Sequence, residues 1–95
     1  MRPSEALARH REEVLAIIAR YPVSNPRVFG SVARGEDTEE SDLDILVDDG
    51  HASTFELAGL ELELEALLRS HVDVRTPGDL SKGVASRVLP DLRPL

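Results

Sequence analysis

Two carboxylates stand two residues apart in the run Ser41-Asp42-Leu43-Asp44. The residues that follow are apolar, and Leu43–Val47 reads as a strand buried on much of both faces. A strand sends residues i and i+2 to one face, so Asp42 and Asp44 are expected to project together at its mouth. Like charges held that close are unfavourable unless something neutralises them. A divalent metal is the usual solution, and ligands that are all oxygen suit Mg²⁺ or Mn²⁺. Taken by itself, an Asp-x-Asp is also an ordinary polar turn leading into a strand.

A third acid, Asp73, stands between Val72 and Val74. The valines are expected to face the core, which turns Asp73 to the other side of the sheet. If its strand lies beside Leu43–Val47, Asp73 joins Asp42 and Asp44; otherwise it is a solvent-facing strand residue. His71 shares the face of Asp73 and is either a neighbour of these acids or a surface residue. Upstream, Gly30-Ser31 follows a short strand at residues 27–30. A glycine there lets a ligand approach the backbone, and a serine with free N–H groups can hold phosphate. Arg34 can meet a phosphate, or pair with Glu36 or Asp37.

The elements that must position these residues are legible in part. Leu7, Val14, Ile17, Ile18 and Tyr21 make an apolar stripe that predicts a helix over residues 4–21, capped by Ser4 and ended by Pro22. Ser24-Asn25-Pro26 reads as a turn, and residues 31–41 as a polar loop or one helical turn. Asp48-Asp49-Gly50 reads as a turn closing the second strand. Ser53-x-x-Glu56 is a capping box, and Leu57, Leu60, Leu64, Leu67 and Leu68 form the core face of the helix it opens. Glu61, Glu63 and Glu65 lie mostly off that face. Residues 71–75 alternate as a third strand, and Pro77-Gly78 marks a turn. A short last helix carries Leu80, Val84 and Val88 and stops at Pro90. The order α-β-β-α-β-α predicts one α+β (α/β-like) domain over residues 1–95, a small mixed sheet flanked by helices. The helix between strands two and three favours their parallel pairing, while strands one and two can be antiparallel.

Composition narrows the function. Eleven basic against 18 acidic residues give a net charge of −7, so binding to a phosphate backbone is disfavoured and a partner with a basic face is favoured. Eight acids and no base fall between Glu36 and Asp49: Glu36, Asp37, Glu39, Glu40, Asp42, Asp44, Asp48 and Asp49. Such crowding is costly unless a cation or water screens it. Cysteine is absent, which removes disulfides and thiolate chemistry and agrees with a cytoplasmic location. No apolar run is long enough to span a membrane, and Met1–Glu5 leads into an amphipathic segment, so no signal peptide is expected.

Gly30-Ser31, a spacer of about ten residues, Asp42-Leu43-Asp44 at a strand start and Asp73 on a later strand together resemble the nucleotidyltransferase superfamily that includes DNA polymerase beta. The wording Val28-Phe29-Gly30-Ser31-Val32-Ala33-Arg34-Gly35 with Ser41–Val47 resembles its minimal members, the MNT antitoxins, over nearly the whole chain. The resemblance implies a polymerase beta palm-like fold and an enzyme that moves a nucleoside monophosphate from a nucleoside triphosphate, ATP being the expected one. It implies Asp42, Asp44 and Asp73 as catalytic carboxylates and ligands of Mg²⁺ or Mn²⁺. Gly30, Ser31 and Arg34 would bind the nucleotide. MNT proteins pair with a HEPN-domain toxin, a ribonuclease, and some neutralise it by adenylylating a tyrosine. With only Tyr21, Phe29 and Phe55 as aromatics, the chain has little with which to grip a base, which favours an acceptor supplied by a protein partner. The alternative is a non-catalytic antitoxin that neutralises its partner by occlusion. A homo-oligomer is left open.

Overall fold

In the computed structural model, which describes the backbone of residues 1–95 and every side chain but that of Asp49, the first helical stretch is broken. Helix α1 spans Pro3–Arg9 and α2 spans Arg11–Ile18. His10 between them leaves the helical region, with φ −112° and ψ 23°. The break lets two short helices follow the curved core, so that Ala6, Leu7, Val14 and Ile18 all stay buried. Ser4 is not the cap. It lies inside α1, and its N–H donates to Asp37 Oδ2 at 2.9 Å. A helix start has free N–H groups that need acceptors, and buried Asp37 supplies one from 33 positions away. Burial alone would raise the Asp37 pKa, but the bonds from Ser4 outweigh it and hold the carboxyl below its ordinary value.

Strand β1 runs Val23–Phe29, longer than expected at its start. The anticipated turn at Ser24-Asn25-Pro26 is a bulge inside it, where the pairing moves from Ser24↔Asp48 to Arg27↔Leu46. Asn25 sits at φ 52°, which asparagine tolerates, and Pro26 has no N–H to give to a ladder. Gly30 leaves the strand and opens a five-residue helix, α3 (Gly30–Arg34). Strand β2 is Leu43–Asp49, so it continues through the expected turn. Asp48 is held there by Arg27, Nη2 to Oδ1 at 2.6 Å. Helix α4 (Thr54–Leu68) begins at the capping box as the sequence indicates: Ser53 Oγ accepts the Glu56 N–H at 3.1 Å, and Glu56 returns the bond at 3.0 Å. Strand β3 is Val72–Arg75, and a 3-10 turn follows at Pro77–Asp79. Helix α5 is Lys82–Val88. A second 3-10 turn at Leu89–Asp91 runs through Pro90 and leads to β4, the two residues Arg93–Pro94, too short to leave a period in the sequence.

The sheet order is β3-β2-β1-β4. Strand β1 is antiparallel to β2 and to β4, while β2 and β3 are parallel, so the sheet is mixed as expected. Its two faces differ. Val28, Leu43, Ile45, Val47, Val72 and Val74 join α1, α2 and α4 in the main core. Phe29 and Leu46 point the other way and meet Val88 of α5 in a smaller cluster. Asp44 and Asp73 lie on this thinly covered face. No helix among the described residues is long and apolar enough to cross a membrane.

Strand β3 lies at the end of the sheet, so alternate N–H groups point away from β2. Helix α4 answers them: the Val72 N–H donates to Glu65 Oε2 at 3.0 Å, and the Val74 N–H to Glu61 Oε2 at 2.7 Å. Four residues of helix rise about 6 Å, close to the roughly 6.6 Å covered by two residues of strand. Glu61→Ala should therefore destabilise the fold by about 1–3 kcal/mol by leaving the Val74 N–H without its charged acceptor. Glu12→Ala on the exposed side of α2 should stay within about 0.5 kcal/mol of wild type. Urea unfolding of both variants measures the difference.

Candidate functional site

The parallel register pairs Leu43 with Val72 and Asp44 with Asp73. Asp42 precedes β2 by one residue, on the face of Asp44. A ligand atom from each of Asp42, Asp73 and His71 lies within 4.8 Å of the others. The three aspartates singled out in the sequence thus come together from two segments about 30 positions apart.

Asp44 bears most of the resulting stress. It is half-buried, and burial, then the charges of Asp73 and Asp42, push its pKa up to about 6. Arg75 and His71 offset only part of this. Gly30 stands directly behind it, with φ +73°. A Cβ at Gly30 would fall 2.5 Å from Asp44 Oδ2, closer than any carbon can sit. The glycine is thus demanded twice, by the left-handed backbone and by the carboxylate. Ser31 begins the turn beside it and is half-buried. Its carbonyl accepts the Glu36 N–H at 2.9 Å, and Gly35 ends α3 at φ 72°. Arg34 is engaged elsewhere, with Nε on Glu36 at 3.0 Å and Nη1 on Asp91 at 2.7 Å. Asp37, the other partner considered for Arg34, is the acceptor for Ser4 instead.

The eight-acid segment is less crowded than its sequence. Glu36 pairs with Arg34, Asp48 with Arg27, and Asp37 is bonded under α1. Glu39 lies 3.6 Å from the N-terminal ammonium. Asp42 and Asp44 face Asp73 rather than a paired arginine. His71 borders this group: Nε2 is 3.3 Å from Asp73 Oδ1, and Nδ1 is 2.8 Å from Glu65 Oε2. Asp73 is the chief cause of a raised His71 pKa, with Asp42 and Glu65 adding to it. Glu65 is the nearby residue that sequence reading passes over. Its one signal is the four-residue spacing from Glu61, which matches the free N–H groups of β3.

The nucleotidyltransferase domain pattern matches residues 8–93. This chain belongs to the nucleotidyltransferase domain family. Protein adenylyltransferase MntA of Thermococcus cleftensis is 42% identical over 84 residues, covering 87% of this chain and 82% of that protein. A minimal nucleotidyltransferase of solved structure superposes with a TM-score of 0.84 at 42% identity, covering 97% of this chain and 95% of that one. A chain from the complex of tri-AMPylated Shewanella oneidensis HEPN toxin with MNT antitoxin shares the fold at a TM-score of 0.68 and 17% identity, covering 90% of this chain and 67% of its own length. The mixed four-stranded sheet is therefore the fold of the minimal nucleotidyltransferases, and the aspartate face is the candidate site of a nucleotidyltransferase domain.

The stress on Asp44 has a measurable sign. Its folded pKa lies above its ordinary value of 3.8. It therefore contributes stability below about pH 4, and that contribution is lost as pH rises through about 6. In the metal-free protein, Asp44→Asn should melt no lower than wild type at neutral pH. The wild type should lose ground to the variant between about pH 4 and 6, followed by thermal melts in chelator. Gly30→Ala should cost about 1–2 kcal/mol from the left-handed backbone alone. It should also turn the Asp44 side chain away, visible as a shifted Asp44 carboxyl resonance.

Proposed function

We propose that this chain is a Mg²⁺-dependent nucleotidyltransferase that adenylylates a HEPN-domain toxin from ATP, with a tyrosine hydroxyl as the acceptor. The observation that carries the reading is the convergence of Asp42, Asp44 and Asp73 on one sheet face, with Gly30 leaving room behind Asp44. The names of the Thermococcus cleftensis relative and of the Shewanella oneidensis complex supply the adenylyl group and the class of partner.

The residues fit a hard dication. The three carboxylates offer oxygen alone, the donor set Mg²⁺ accepts. Burial first, and then the repulsion of Asp73 and Asp42, raise the Asp44 pKa, and a cation at the site would offset both. Asp42, Asp44 and Asp73 would hold it. When bound, Mg²⁺ neutralises the triphosphate and steadies the charge of the leaving group.

The rest falls to the chain and its partner. Gly30 and Ser31 bring the backbone close to the phosphates without a side chain in the way. Arg34 would have to leave Asp91 or Glu36 to reach the nucleotide, so its part is secondary. The acceptor oxygen bonds to the α-phosphorus as the bond to pyrophosphate breaks. Asp73 takes the hydroxyl proton, being a carboxylate that can stand within hydrogen-bond reach of the acceptor. The partner completes the cleft, and the net charge of −7 favours one with a basic face. The pair would act in the cytoplasm, where ATP and Mg²⁺ are both at hand.

Incubated with Mg²⁺, ATP and a cognate HEPN-domain toxin, the chain should add one adenylyl group or a multiple to that protein, read by intact mass. Asp42→Ala, Asp44→Ala and Asp73→Ala should each lower the rate by about a hundredfold or more. Ser31→Ala should be milder, because backbone N–H groups remain. If Asp42→Ala/Asp44→Ala neutralises the toxin in cells as well as wild type, adenylylation is not the basis of protection and occlusion replaces it.

A further inference from the structure

We propose that His71 is a nitrogen ligand of the dication position formed by Asp42 and Asp73, and that it makes this position favour Mn²⁺ over Mg²⁺. The proposal rests on the metal-binding part of the proposed function and adds a ligand to it.

Three observations converge. The first is reach. Ligand atoms of Asp42, Asp73 and His71 lie within 4.8 Å of one another. One ion with bonds of about 2.0–2.6 Å can bridge such a span after small side-chain adjustments. The second is orientation. His71 Nδ1 lies 2.8 Å from Glu65 Oε2. A neutral imidazole that gives its Nδ1 proton to that carboxylate keeps a lone pair on Nε2, on the side of Asp73. Metal-binding histidines characteristically give their second N–H to a carboxylate in this way. Nε2 lies 3.3 Å from Asp73 Oδ1, a contact in which a proton on Nε2 sits between the two atoms when no metal is bound. A dication that takes the place of that proton would be held by both atoms.

The third observation is that Glu65 is itself fixed. The oxygen that meets His71 also accepts the Val72 N–H at 3.0 Å. Helix α4 and strand β3 together thus hold the orienting carboxylate, and the imidazole does not depend on a loose side chain. A nitrogen donor then changes which ion is preferred. Mg²⁺ demands near-ideal octahedral oxygen coordination and keeps much of its water, whereas Mn²⁺, which also suits carboxylate and water, is a first-row transition ion and loses less when imidazole replaces one oxygen.

Pulsed electron paramagnetic resonance on the full chain loaded with Mn²⁺ alone tests the ligand directly. A directly bonded imidazole gives a nitrogen hyperfine coupling, expected in wild type and absent in His71→Gln. His71 is exposed, so the substitution leaves the core untouched. In titrations, His71→Gln should weaken Mn²⁺ by about tenfold or more and leave Mg²⁺ nearly unchanged. Absence of the coupling in Mn²⁺-loaded wild type, or equal weakening of both metals, would overturn the proposal and leave His71 as a surface ion-pair partner. The two readings fail separately. Coupling without adenylyl transfer sinks the transfer reading and keeps the ligand, and transfer without coupling does the reverse.

Discussion

The register of β2 against β3 sets Asp44 opposite Asp73. Pairing alternates strictly along a strand, so a slip of one residue would turn Asp73 toward the helices and push Val72 or Val74 out of the core. Keeping that register is a task shared by the whole chain. Parallel pairing needs a crossover, and α4 supplies it while burying Leu60, Leu64 and Leu68 on the sheet. The same helix fixes β3 lengthwise, because Glu61 and Glu65 accept the backbone N–H groups of Val74 and Val72. On the far side of β2, the bulge in β1 lets Arg27 reach Asp48 while Phe29 still falls opposite Asp44.

Charge is managed by the same economy of position. Glu36, Asp37, Glu39 and Asp48, half the acids of the segment 36–49, are given a cation or an N–H group, and the stress concentrates at Asp44. Local rules of stability are broken there and obeyed around it, the pattern expected of a functional face rather than a structural one. Gly30 belongs to this arrangement. Its missing side chain is what allows a carboxylate to be held half-buried against a turn of backbone.

The features that could be read from sequence were those with a local cause. The capping box at Ser53 and Glu56, the burial of Leu46 on the second face, and the outward turn of Asp73 follow from spacing alone. The mixed sheet followed from the lengths of the connections. What escaped depended on contacts distant in sequence. The bend at His10 answers the shape of a core built by later residues. The α1 cap comes from Asp37, which no local pattern around Ser4 reveals. Arg34 had a legible partner in Glu36 but not in Asp91, which a 3-10 turn delivers. Glu65 was visible only as a polar residue on a helix. Its contact with His71 needed the strand to be in place.

The α4 glutamates bonded to β3 have one more effect. A strand at the end of a sheet normally invites another chain to pair with it, the route by which many β proteins extend into dimers or aggregates. Here a newcomer would find the N–H groups of Val72 and Val74 already bonded to carboxylates of the chain's own helix. At the opposite end β4 is two residues long, one of them proline and the other arginine. Neither side of the sheet offers a template. Any protein that joins this one must therefore recognise it through side chains on its faces, where selectivity between partners can be built, and not through the backbone, which every strand has in common.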